Sequence, residues 1–276
     1  MLREKEHDIE KLHEIARQLR IDSLRMIHRA GGGHPGGSLS AADLVTALYF
    51  HEMNLCPQEP DWPDRDRFIM SKGHGCPVLY AALARLGYFD RSHLETLRKF
   101  GSILQGHPDM RKTPGLDSTS GSLGQGLSVG LGMALMGLRD QKPYRVFVML
   151  GCGELDEGQI WEAAMSGAKF RVANLTAIVD YNRLQLDGTN DQVMPLEPLD
   201  DKWRSFGWNA LRIDGHDMRA ILDALHRAAA HDQGPTVIIA KTIKGKGVSF
   251  MEDQLNWHGV APSTEQLEIA LAELDP

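Results

Sequence analysis

The chain has 276 residues, a formal net charge of −7 and a pI near 5.9, an acidic balance that argues against nucleic acid or an anionic membrane as its main partner. Its length and the lack of any linker-like stretch predict a single domain over residues 1–276, with a helical extension at the amino end. Three cysteines, Cys56, Cys76 and Cys152, are too few for a disulfide framework and too widely spaced for a zinc knuckle; the charged amino-terminal stretch lacks the apolar centre of a signal peptide, so a reducing cytoplasm is the expected location.

Ile9, Leu12, Ile15, Leu19, Leu24 and Ile27 recur at helical spacing and predict an amphipathic helix from Asp8 to about Ala30. It stops at Gly31-Gly32-Gly33-His34-Pro35-Gly36-Gly37. Ser40 stands where an N-cap would start a helix running through Phe50. A proline-containing loop from Cys56 to Arg67 leads to a short strand, Phe68 to Met70, then to the turn Ser71-Lys72-Gly73-His74-Gly75 and a helix from Val78 to Leu86. His107 lies in a third histidine-bearing turn, Gln105-Gly106-His107-Pro108-Asp109. Each of these histidines also reads as a surface residue capping local backbone. That reading leaves the repetition unexplained: each imidazole sits between small or proline residues at the mouth of an element, and His258 recurs in Trp257-His258-Gly259. Imidazoles donate, accept or transfer protons near neutral pH and suit a polyhydroxylated substrate.

Ser120-Gly121-Ser122-Leu123-Gly124-Gln125-Gly126 opens a glycine-rich helix through Leu138. Glycine in a helix costs about 1 kcal/mol relative to alanine, so Gly124, Gly126, Gly130 and Gly132 imply a very close neighbour, either within the chain or in a second molecule.

The next stretch organises the chain. Val146 to Leu150 is an apolar run suited to a parallel strand buried on both faces. Gly151-Cys152-Gly153-Glu154 turns it into a helix from about Asp156 to Phe170, and a second strand, Leu175 to Val179, delivers Asp180-Tyr181-Asn182. Gly153 and Asn182 are about thirty residues apart, enough for one helix and one strand to return the chain to the same sheet edge, so they are expected to be neighbours. The carboxyl edge of such a sheet is where open α/β folds bind ligands. Strands Trp208 to Ile213 and Thr236 to Lys241, the helix Met218 to Ala230 between them and a last helix, Glu265 to Leu274, continue the alternation. The loop Lys241-Thr242-Ile243-Lys244-Gly245-Lys246-Gly247 is basic and stands at a strand's carboxyl end, where it reads either as a cationic partner for an anionic ligand or as a solvated surface.

The pairing of a Gly-x-Gly turn with a later strand-end Asn resembles the diphosphate-binding motif of thiamine-diphosphate enzymes. GELDEGQIWEAA and LTAIVDYNRLQLDG are similar to the transketolase family, especially to the form divided between two subunits. GGHPGGSLSAADL, SKGHGCPVLY, GHPD and GSLGQG resemble further motifs of that family, in family order.

The resemblance implies a three-layer αβα fold with a mostly parallel sheet, and it carries roles residue by residue. Main chain at Gly121, Ser122 and Leu123 would meet the aminopyrimidine of thiamine diphosphate. Gly151, Cys152, Gly153, Glu154 and Leu186 would line the cofactor site, with His74 and His258 near the diphosphate. His34 and His258 would bond and shuttle protons at the substrate's hydroxyls and carbonyl, and His107 would meet the donor's terminal hydroxyl. Glu157 and Glu162 match carboxylates that link paired active sites, although both also read as helix surface. Mg²⁺ would take oxygens from the Asn182 side chain, the Leu184 carbonyl, the diphosphate and an Asp. Cys152 stands where the family has that Asp. Mg²⁺ is a hard ion that prefers oxygen, so a weakened site, a softer divalent ion or a lost site would follow.

The family motifs present here belong to the half of transketolase that holds the diphosphate. Absent are the pyrimidine-binding half and the glutamate that activates the cofactor there. The resemblance therefore implies a diphosphate-binding subunit that works with a C-terminal, pyrimidine-binding partner subunit in a heterotetramer of two copies of each. Its expected reaction moves a two-carbon ketol unit from a ketose phosphate to an aldose. Two-carbon transfer to a non-standard acceptor and a non-catalytic scaffold subunit are the alternatives.

Overall fold

The amphipathic amino terminus forms α1, Ile9–Ala30, in a computed structural model that describes residues 2–275. Asp8 caps the helix by accepting from the N–H groups of Glu10 and Lys11, and Gly31, at φ 67°, turns the chain out of it. Short helical segments follow: α2, Pro35–Ser40; α3, Ala42–Thr46; and a π-helical turn, Ala47–Glu52. Ser40 does not cap a helix here. Helical structure already begins at Pro35, whose fixed φ suits a first helical position, and the Ser40 hydroxyl donates instead to Asp180 at 2.6 Å.

Strand β1 is Arg67–Met70, followed by a 3₁₀ turn, Gly73–Gly75, and α4, Cys76–Leu86. The glycine-rich helix is α5, Gln125–Arg139. Strand β2, Val146–Gly151, leads through a second 3₁₀ turn, Gly153–Asp156, to α6, Gly158–Lys169. That separate turn takes up Glu154 and Asp156 and delays the helix relative to the start expected at Asp156. Then come β3, Leu175–Tyr181; α7, Asn190–Val193; α8, Leu199–Ser205; and β4, Asn209–Asp214. The described chain closes with α9, Met218–Ala230; β5, Thr236–Lys241; and α10, Thr264–Leu274.

Among the described residues these strands form one parallel sheet in the order β1-β2-β3-β5-β4. Side-chain alternation sends Phe147 and Met149 of β2 to one core, shared with α1, α3, α4 and α9, and Val146, Val148 and Leu150 to the other, under α5, α6 and α8. The result is the three-layer αβα architecture that the βα alternation predicts. The α5 glycines have intrachain explanations except for one. A methyl group at Gly130 would meet Val148 Cγ2 at 2.5 Å, and one at Gly126 would collide with Ser71, whereas one at Gly132 would meet nothing within 4 Å beyond its own helix backbone. No helix among the described residues is long and apolar enough to cross a membrane.

Candidate functional site

The β2–β3 register pairs Gly151 with Asp180, so the turn after β2 and the residues after β3 emerge side by side at the carboxyl edge. Cys152 Sγ lies 3.6 Å from Asn182 Oδ1, which also accepts the Leu184 N–H at 3.2 Å. Beneath this edge Asp180 is fully buried, and it accepts from Lys72 Nζ, the Thr242 hydroxyl and Ser40 Oγ. Burial alone would raise its pKa, but the Lys72 charge and the hydroxyl donors outweigh that and hold it below the ordinary value. Strand β3 therefore runs on to Tyr181, because Asp180 is a buried, fully partnered member of it.

The histidine turns converge over this floor. The rings of His34, His74 and His258 are mutually 5.2, 5.4 and 5.5 Å apart. Burial, followed by neighbouring cationic groups, lowers the pKa of His34 and of His258 to about 4 and that of His74 well below its ordinary value. All three are neutral at physiological pH, each with one donor and one acceptor nitrogen. His107 sits at the exposed rim, its pKa lowered by partial burial and by Arg98.

Lys244 comes from the loop after β5 and is 2 % exposed. Its ammonium contacts the carbonyl oxygens of Gln185 at 3.0 Å and Leu184 at 3.4 Å, and His258 Nδ1 at 2.8 Å. Ammonium donation to Nδ1 leaves the proton of the neutral His258 ring on Nε2. Among the described residues no carboxylate pairs with Lys244. Burial lowers its pKa to about 8, with the Lys72 charge lowering it further and Asp180 opposing, which leaves the ammonium as the major form at neutral pH. The approach requires Gly36, where a Cβ would lie 2.8 Å from Lys244 Cγ and 2.9 Å from the Trp257 carbonyl.

These groups enclose a cavity of ≈ 320 Å³. Of the residues expected from sequence, His34, His74, His107, Gly121, Leu123 and His258 line it, as do Gly151, Cys152, Gly153, Glu154, Asn182, Leu184 and Leu186. Glu154 is buried and held by Ser71 Oγ and the N–H groups of Gly124 and Gly151, and burial raises its pKa against those donors. Ser122, Glu157 and Glu162 are not part of the lining; all three side chains are exposed. Gly37, Lys72 and Gln185 line the cavity although no sequence pattern singles them out, and Lys244 stands in sequence only as one of three lysines in a basic loop. A second cavity, ≈ 380 Å³, lies beside α1 and α10 and contains none of the motif residues.

A ligand that fills the histidine-lined cavity must bring negative charge to Lys244 and polar atoms to the imidazoles, which makes this α/β fold a binder of a phosphorylated group. The family profile "Transketolase, thiamine diphosphate binding domain" matches residues 11–274, and the chain belongs to the transketolase family. It is 47% identical to a 6-deoxy-6-sulfo-D-fructose transketolase subunit of Clostridium sp. (strain MSTE9), with 98% of each chain covered. It is 43% identical to an apulose-4-phosphate transketolase subunit of Phocaeicola vulgatus, over 91% of this chain and 89% of that one. The transketolase structure from Campylobacter jejuni superposes with a TM-score of 0.91 at 30% identity, covering 97% of this chain and 43% of that chain. The chain is thus the thiamine diphosphate-binding part of a transketolase, a transferase, and it matches subunits of divided enzymes over nearly their whole length.

The lining fits the diphosphate of that cofactor, because Lys244 offers an ammonium whose present partners are all neutral. It does not by itself fit a hard divalent cation. Asn182 Oδ1 and the Leu184 carbonyl are neutral, the latter already faces Lys244, and burial raises the Cys152 pKa so that it stays a thiol. Among the described residues no group of three or more His, Cys, Asp or Glu side chains is placed to hold a metal ion.

Proposed function

We propose that this chain, joined to a pyrimidine-binding partner subunit, transfers a two-carbon ketol unit from a ketose to an aldose with thiamine diphosphate as cofactor. The observation that carries the reading is the convergence of His34, His74, His258 and Lys244 on the Cys152–Asn182 edge. The bound cofactor supplies the carbon nucleophile, and the chain supplies placement and proton handling. His258, with its proton on Nε2, donates to the substrate oxygen where charge develops; neutral His34 takes and returns the hydroxyl proton. His74 and Lys244 hold the diphosphate, main chain from Gly121 to Leu123 meets the aminopyrimidine, and His107 meets the donor's terminal hydroxyl. Glu157 and Glu162, exposed on one helix end, connect to a second active site across a heterotetramer with two copies of each subunit.

Mg²⁺, where it takes part, is weakly held, with Asn182 Oδ1 and the Leu184 carbonyl as its protein oxygens. The domain spans residues 1–276 and works in the cytoplasm, where the buried thiols of all three cysteines persist. The named relatives act on 6-deoxy-6-sulfo-D-fructose and apulose-4-phosphate, which points to a ketose with an anionic group far from its carbonyl. This subunit handles the carbonyl end, and the partner reads the far end. The test is NMR of the reconstituted pair with a ketose phosphate labelled at carbons 1 and 2. Both labels should arrive together on the acceptor aldose; transfer of one label, or of none, refutes the reading.

A further inference from the structure

The cavity has the wrong charge distribution for a site built around a carboxylate-held metal. Two cations reach its floor. Lys72 is spent on Asp180 and the Gly37 carbonyl. Lys244 has only carbonyls and an imidazole, among them the Leu184 carbonyl that would otherwise face a metal ion. Glu154 is turned into a cradle of a hydroxyl and two backbone N–H groups. Cys152, opposite Asn182, brings no carboxylate. An acid at position 152 would give Lys244 a counter-charge and a cation an oxygen ligand; the thiol gives neither.

We propose that this chain binds the diphosphate group directly on the Lys244 ammonium, so that diphosphate binding does not require a divalent cation. Lys244 stands where its charge reaches the Leu184 side of the cavity, 3.4 Å from the Leu184 carbonyl oxygen. A buried ammonium with neutral partners gains a charge-assisted contact when a diphosphate oxygen arrives. A divalent cation beside Asn182 would meet only neutral protein oxygens and the positive charge of the nearby ammonium. Residue 152 sets the balance: a thiol leaves the cationic side chain dominant, and a carboxylate would neutralise it and recruit a metal.

The inference rests on the cofactor assignment above, and the test separates the two. The full chain is titrated calorimetrically with inorganic diphosphate, once in EDTA and once in excess Mg²⁺. Near-equal affinity in the two buffers is expected. Lys244→Met should weaken binding in EDTA by at least about tenfold, the scale of one charge-assisted contact. Cys152→Asp should weaken binding in EDTA and recover it with Mg²⁺, with circular dichroism showing that each variant is folded. Binding by the unmodified chain only with Mg²⁺ overturns this inference and leaves the cofactor assignment standing. No binding in either buffer overturns both, and binding unchanged in Lys244→Met overturns the role given to that ammonium.

Discussion

His34 and His258 show most directly how burial sets chemistry. Two imidazoles with pKa lowered to about 4 are neutral in the resting site, so each presents one donor and one acceptor nitrogen there, and charge appears on a ring only while it holds a substrate proton. His34→Ala and His258→Ala should each lower turnover of the assembled enzyme by about 10²-fold, the scale of a general acid–base group, with a much smaller loss of cofactor affinity. Near-normal steady-state rates in both variants would return these side chains to a structural role. The same shifts predict a pH dependence of stability. An unfolded His takes a proton near pH 6.5 and the folded one does not until about 4, so the unfolded state gains protons first and stability falls as pH drops through that window. The double variant His34→Gln/His258→Gln should show a flatter fall in Tm between those pH values. An equally steep fall would show that these rings titrate normally in the folded protein.

At the scale of elements, α5 offers a paired test of why it is rich in glycine. Gly130 packs on Val148 and Gly132 faces open space. Gly130→Ala should destabilise the isolated chain by about 1–3 kcal/mol through overpacking, whereas Gly132→Ala should stabilise it by up to about 1 kcal/mol through helix propensity. Urea denaturation of both variants reads the difference directly, and a stabilising Gly130→Ala would mean that α5 does not lie on β2 as described. If Gly132→Ala stabilises the chain yet weakens the assembled enzyme, the glycine serves contact with another subunit. Elements with long, regular periodicity are legible in sequence: α9 and β5 have the expected boundaries, Met218–Ala230 and Thr236–Lys241. The histidine turns are legible because glycine and proline flank each ring. Ser40, Lys72 and Lys244 are not, since each is defined by a contact across the sheet edge, with Asp180, Gly37 or His258, that no local pattern encodes. Ser40 in particular looks locally like a helix cap and is spent on a buried carboxylate instead.

At the scale of the whole molecule, the chain carries the thiamine diphosphate-binding domain, and the proposed function gives it one wall of a shared cofactor site. It spans 40% of a full-length relative, transketolase-like protein 2 of Bos taurus, and its cavity lies at the sheet edge beside Cys152 and Asn182. Placement and preorganised polarity contribute most of the rate in such a site, so half of the walls should give almost none of the turnover. The decisive measurement is the rate of ketose consumption by the purified chain, by the purified pyrimidine-binding subunit and by their mixture, each with thiamine diphosphate and from a host lacking its own transketolase. Turnover should appear only in the mixture, rise with either subunit until the two are equimolar, and vanish without cofactor. Sustained two-carbon transfer by this chain alone, or none in the mixture despite a formed complex, would contradict the account.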